Sequence, residues 1–130
     1  MAYSSGNVRR DKNAGETITA GQCVYLKSST DEWMKAQADG TAEEAGSGVD
    51  LGIALHASLD GQPLAVQTSG TITIGATPTV GVMYCVSATA GGICPQADLV
   101  STNKISFIGQ GATSTTLNLV RLGNTGYTVP

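Results

Sequence analysis

Gln22-Cys23-Val24-Tyr25-Leu26-Lys27, then Ser28-Ser29-Thr30-Asp31, then Trp33-Met34-Lys35-Ala36: two short runs rich in β-favouring residues stand on either side of a polar turn. Aromatic and β-branched side chains fit a pleated, half-buried surface, whereas Ser, Thr and Asp accept the backbone of a tight turn. The same alternation continues outward in both directions. Strands are expected at 16–20, 22–27, 33–36, 51–57, 64–68, 70–74, 83–87, 105–109 and 116–121. The punctuation between them includes Asp60-Gly61-Gln62-Pro63, Ala90-Gly91-Gly92 and Gly109-Gln110-Gly111. No segment sustains an apolar stripe of helical period, so the class is all-β. Many short strands imply closure, because an open sheet leaves edges free to pair. The expected fold is a small β-barrel or β-sandwich of short antiparallel strands with an extended N-terminal arm.

The ends differ from the middle. Residues 1–15 carry no apolar pattern and read as an arm, ordered only where something binds it. Residues 16–122 form the β domain and 123–130 a tail, in which Tyr127 and Val129 are candidate anchors on a neighbouring surface. Segment 39–48 reads as an acidic surface loop or one turn of helix, the loop being favoured because Gly40, Gly46 and Gly48 crowd it.

At 130 residues the chain has the size of a single domain with one core. Charged residues make up 13% of it, against about 25% in an ordinary soluble domain, which leaves much of the surface to Ser, Thr, Gly, Asn and Gln. That suits a protein held against neighbours, or one in a virion or outside a cell. The net charge of -3 argues against general nucleic-acid binding, which needs clustered Lys and Arg. The local exception is Arg9, Arg10 and Lys12, interrupted by Asp11, read as a solvated or partner-docking stretch. No apolar run reaches the ~20 residues of a membrane span, and the start does not resemble a signal peptide, so synthesis in a cytoplasm without export is expected.

Candidate chemistry is sparse. Cys23, Cys85 and Cys94 lack zinc or haem spacing and read as reduced thiols, some packing as small core residues; if Cys85 and Cys94 flank a hairpin they face each other. His56 is the single histidine, and Ser58 lies two residues along the same run. No Gly-x-Ser-x-Gly elbow surrounds that serine, so a surface or strand-end histidine is the reading. The few aromatics do not furnish a sugar-binding cleft, and no Asp-x-Asp-x-Asp run offers a calcium loop. Gly46-Ser47-Gly48 and Gly109-Gln110-Gly111 read as turns, since neither leads into a helix that could hold phosphate. No catalytic, cofactor or metal residue is assigned. Trp33 and Met34 remain as candidates for a protein interface, with Trp33 as the plug of one barrel end the alternative.

The segment Ala14-Gly15-Glu16-Thr17-Ile18-Thr19-Ala20-Gly21-Gln22-Cys23-Val24-Tyr25-Leu26 resembles the opening of the head decoration, or capsid cement, proteins of tailed phages, with their Gly-Glu-x-Ile-x-x-Gly-x-x-Val-Tyr-Leu pattern. Later blocks resemble that family in the same order: Leu51 to Leu55, Gly61 to Gly70, Val80 to Tyr84, Ser87 to Ile93, Ile108-Gly109 and Thr116 to Leu119. The departures are the three cysteines, His56 and a longer tail. The resemblance implies a non-enzymatic, barrel-like protein on the outer surface of the virion capsid. Its implied partners are the major capsid protein and copies of itself, as a homotrimer, with no nucleic acid, membrane or cofactor. Arg9, Arg10, Trp33, Met34 and Tyr127 are the expected capsid or subunit contacts. A virion-displayed module binding glycans or the host surface is the alternative, and a small hydrolase using His56 is a third reading.

Overall fold

The computed structural model describes residues 2–3, 7–41, 43–46, 49–73, 78–100, 103–119 and 124–128, with the side chains at 2–3, 96 and 124–128 outside that set. The strands are β1 (Ala2–Tyr3), β2 (Val8–Arg9), β3 (Cys23–Lys27), β4 (Glu32–Lys35), β5 (Leu51–Ala54), β6 (Val66–Gln67), β7 (Gly70–Thr73), β8 (Met83–Val86), β9 (Ile93–Pro95), β10 (Lys104–Gly111), β11 (Thr116–Leu119) and β12 (Asn124–Thr128). A single 3₁₀ turn, Gln96–Asp98, follows β9, and the all-β class holds among the described residues. Two antiparallel sheets result. One runs β2-β6-β5-β3-β4; the other runs β1-β7-β11-β10-β8-β9, with β12 on the first half of β10.

The turn quoted first forms as read: β3 and β4 pair from Val24 opposite Lys35 to Lys27 opposite Glu32, and Asp31 closes the turn at a positive φ of 59°. Side chains alternate along β3. Cys23 and Tyr25 enter the main core, where Leu51 and Ile53 of the first sheet meet Ile72, Tyr84, Cys85, Val86, Ile108, Leu117 and Leu119 of the second. Val24 points the other way, into a second cluster with Ala14, Ile18, Trp33, Ala54, Leu64 and Val66. The first sheet is therefore buried on both faces, and all four residues of β5 are buried.

Several expectations are corrected. Residues 16–20 do not form a strand. The chain there crosses the outer face of the first sheet through single bridges, Ala14 to Trp33 and Ile18 to Ser58, which seat the side chains of Ala14 and Ile18 in the second cluster. Residues 7–15 are not a free arm: β2 pairs with β6, Asn13 bridges Pro63, and the Ala14 and Gly15 amides donate to the Gln62 and Trp33 carbonyls. Backbone pairing to a sheet edge requires no apolar pattern, so the sequence carried no signal for it. The backbone of 124–128, within the expected tail, pairs with β10 for the same reason.

Gly109-Gln110-Gly111 is not a turn but the end of β10. A Cβ at Gly109 would stand 2.5 Å from the Asn118 carbonyl oxygen, and one at Gly111 2.0 Å from that of Thr79. Glycine serves there for close backbone approach beside a register shift in the β8–β10 pairing. Strand β9 escaped notice because of Pro95, which a sheet edge tolerates.

Candidate interaction surface

The five candidate residues separate sharply. Trp33 is fully buried, clustered with Ala14, Leu64 and Val66, and its indole Nε1 has no hydrogen-bond acceptor among the described residues. A ring so placed offers no area to a partner; of the two readings of Trp33, the structure gives the core one. Arg9 lies over it, the guanidinium carbon 5.7 Å from the ring centroid. Its Nε and Nη2 donate to the two carboxylate oxygens of Asp11 at 3.2 and 3.0 Å, and its Nη1 donates to Asp50. The Asp11 hydrogen bonds raise the Arg9 pKa further, and the same contact holds Asp11 below the ordinary carboxylate range. Arg9 is thus occupied within the chain.

Arg10 behaves oppositely. It is exposed, has no ion-pair partner among the described residues, and borders a shallow depression of about 310 Å³ with Leu55, His56, Pro63, Leu64 and Ala65. Neighbours on an extended segment point to opposite sides, so one arginine fastens the segment and the next faces solvent. Met34 is half-buried, packed on the main core and facing Gly15, where a Cβ would come within 2.5 Å of its sulfur. Tyr127 lies on β12, and its side chain is outside the described residues.

Met34 also lines a wider depression, about 560 Å³, between β3, β4 and the loop after residue 40, with Tyr25 among its lining residues. Burial, and then the carboxylates of Glu44, Glu43 and Glu16, push that phenol up. The walls are mutually paired: the Ser28 amide and hydroxyl both donate to Glu43 at 2.8 Å, lowering its pKa, and Lys35 approaches Glu16 at 3.7 Å. Within the acidic segment the described residues 43–46 form a turn, with the Ala45 amide donating to the Thr41 carbonyl, and Thr41, Glu43 and Glu44 line this groove.

His56 and Ser58 do not form a nucleophile–base pair. The imidazole Nε2 accepts the Ala65 amide at 3.0 Å while Nδ1 faces the Ala57 carbonyl at 2.8 Å, which assigns the proton to Nδ1. Ser58 is buried, its hydroxyl directed to the carbonyls of Gln62 and Pro63 at 3.2 and 3.0 Å. Both side chains tie down the 55–65 loop. No group of three or more His, Cys, Asp and Glu among the described residues is arranged to hold a metal ion.

Sequence reading missed three exposed apolar residues, Leu59, Val80 and Val100. A signal existed for two: Leu59 stands just before Asp60-Gly61 and Val80 just before Gly81, both glycines at positive φ, and an apolar residue at such a turn has no strand face to enter. Compared with known protein families, curated proteins and solved structures, the chain matches none.

Proposed function

We propose that this protein is a capsid decoration, or cement, protein that binds the outer surface of a tailed-phage head and stabilises the lattice of the major capsid protein without catalysing a reaction. The observation that carries the reading is where the family-like blocks fall. Residues 14–26 span the crossing segment and β3; 51–55 cover β5; 61–70 cover the turn and β6; 80–84 lead into β8; 87–93 make the β8–β9 turn; 108–109 and 116–119 lie on β10 and β11. The pattern thus follows the strands and turns that build both sheets, in order. A binder of this kind acts by linkage: contacts available only on the assembled shell lower the free energy of that state, and many copies multiply the effect. Homotrimer formation and a place on the virion exterior belong to the same proposal.

Arg10 is an exposed cation without an ion-pair partner among the described residues, so it is the leading candidate contact in place of Arg9 and Trp33. The test is co-sedimentation of the purified protein with undecorated, expanded capsids. Saturable association is expected, with Arg10→Glu reducing the bound amount several-fold while its circular dichroism is unchanged. Absence of association with the shells would overturn the proposal.

A further inference from the structure

Cys85 and Cys94 are cross-strand partners. In the β8–β9 hairpin Tyr84 faces Pro95, Cys85 faces Cys94 and Val86 faces Ile93. Residues directly opposite in an antiparallel pair send their side chains to the same face, and here that face is the main core: Cys85 belongs to it and Cys94 packs against it. The pair type follows by counting. The Ser87 amide donates to the Gly92 carbonyl at 3.1 Å, so Ser87 and Gly92 form a hydrogen-bonded pair. Such pairs recur at every second position, which makes Cys85–Cys94 hydrogen-bonded as well. It also places Pro95, with no N–H to give, at a position directed away from β8. Hydrogen-bonded pairs hold their Cα atoms about 5.5 Å apart, in the middle of the ~4.4–6.8 Å that a disulfide spans.

The geometry points to Cys85 and Cys94 as a vicinal dithiol across the β8–β9 hairpin that a small-molecule disulfide converts to an intramolecular disulfide, leaving Cys23 as a thiol. Cys23 has no cysteine as its cross-strand partner, since it stands opposite Ile53 in β5. The order of events follows from exposure. Cys94 is only partly buried, on the last strand of its sheet, whereas Cys85 is buried. The Cys94 thiolate attacks one sulfur of glutathione disulfide and expels one glutathione thiolate. The Cys85 thiolate then attacks the Cys94 sulfur of the mixed disulfide and expels the second. Two protein thiols are oxidised, one glutathione disulfide is reduced to two glutathiones, and the two thiol protons pass through solvent to the leaving thiolates. Burial pushes Cys85 up to about 12 and raises Cys94 as well, so both steps are slow near neutral pH and quicken in mild alkali. All three cysteines are free thiols in the structure, the state a reducing cytoplasm maintains; an oxidising exterior favours the closed form. This chemistry is independent of the capsid reading and is tested without any capsid.

The experiment incubates the folded, full-length protein with glutathione disulfide at mild alkaline pH, then counts thiols after acid quenching and denaturation. The titre should fall from three to one. Intact mass should fall by about 2 Da, the mass of the two hydrogens lost on closing a disulfide, and peptic fragments should place the link between Cys85 and Cys94. Cys94→Ser, a change at a half-buried edge position, should retain its two remaining thiols without forming a link. A titre held at three, a stable glutathione adduct on Cys94, a covalent dimer, or a Cys23–Cys85 link in Cys94→Ser would each overturn the assignment.

Discussion

The two apolar clusters on either side of the first sheet are built by different means. The main core is strand against strand, with side chains of β3 and β5 meeting those of β7, β8, β10 and β11. The outer cluster is a sheet covered by non-strand chain, in which Trp33, Val24, Ala54 and Val66 are roofed by Ala14, Ile18 and Leu64 from segments joined by isolated bridges, to the sheet at Trp33 and otherwise to each other. Ladder pairing holds the first together even when one side chain is lost. The roof of the second is held by scattered backbone bonds, such as those of Ala14 to Gln62 and of Ile18 and Ser58 to each other, rather than by a continuous ladder, so its order rests more on the ring beneath it.

The sharpest way to break that contrast is to remove one large side chain from each cluster. Trp33→Ala is expected to cost about 3–5 kcal/mol and Ile72→Ala about 2–5 kcal/mol, both measured by urea unfolding. The difference should lie in where the loss is felt. In Trp33→Ala the amides of Ala14 and Gly15, bonded to Gln62 and to Trp33 itself, should exchange hydrogen much faster than in the parent under native conditions. In Ile72→Ala their exchange should change only in proportion to global stability. Equal exchange in the two variants would show that the roof does not depend on the indole.

A change of pH probes the main core more than the outer cluster. Burial pushes Cys23 and Cys85 of the main core up to about 12 from an ordinary 9.0, and no cysteine lies in the outer cluster. Above pH 9 the unfolded chain releases these protons while the folded one retains them, so stability is full below pH 9 and falls as pH rises toward 12. Each thiol contributes a loss of about 1.4 kcal/mol for every pH unit in that window. The urea midpoint should drop between pH 9 and 11 in fully reduced protein, and Cys23→Ala should flatten the drop. A parent midpoint that stays constant over that range would mean that the thiols are not buried as described.

The same contrast explains what the sequence could disclose. β3, β4, β5, β8 and β11 were legible because strand-on-strand burial imposes runs of β-branched and aromatic residues, and Asp60–Pro63 and Ala90–Gly92 were legible as turns because they need glycine. The roof was not: Ala14 and Ile18 are two apolar residues in a polar stretch, and single bridges leave no periodicity. Gly109 and Gly111 misled because glycine placed for a close backbone approach looks like glycine placed for a turn. Among the candidate contacts, Trp33 had no single reading, since interfaces and cores both recruit tryptophan, and composition does not say which of two adjacent arginines faces inward.

That last ambiguity leads to the smallest effect. Arg9 covers the outer cluster through two kinds of contact, its guanidinium over the Trp33 ring and charged hydrogen bonds to Asp50 and, as a forked pair, to Asp11. Lysine keeps the charge but loses the plane and the fork, so Arg9→Lys should cost about 0.5–1 kcal/mol at neutral pH. The two contributions separate on acidification. Asp11 is held below its ordinary 3.8 by the Arg9 hydrogen bond, so its share is present above that value and lost as pH falls beneath it, when the carboxylate is protonated. The stack over the indole does not depend on that proton. The stability gap between parent and Arg9→Lys should therefore narrow between pH 5 and pH 2.5 without closing, whereas in Arg10→Lys no gap should be measurable at either pH. A gap that closes fully would assign the whole effect to the carboxylate and leave the ring with no part in holding Arg9. A gap independent of pH would assign it to the ring alone, and the outer cluster would then rest on packing as completely as the main core does.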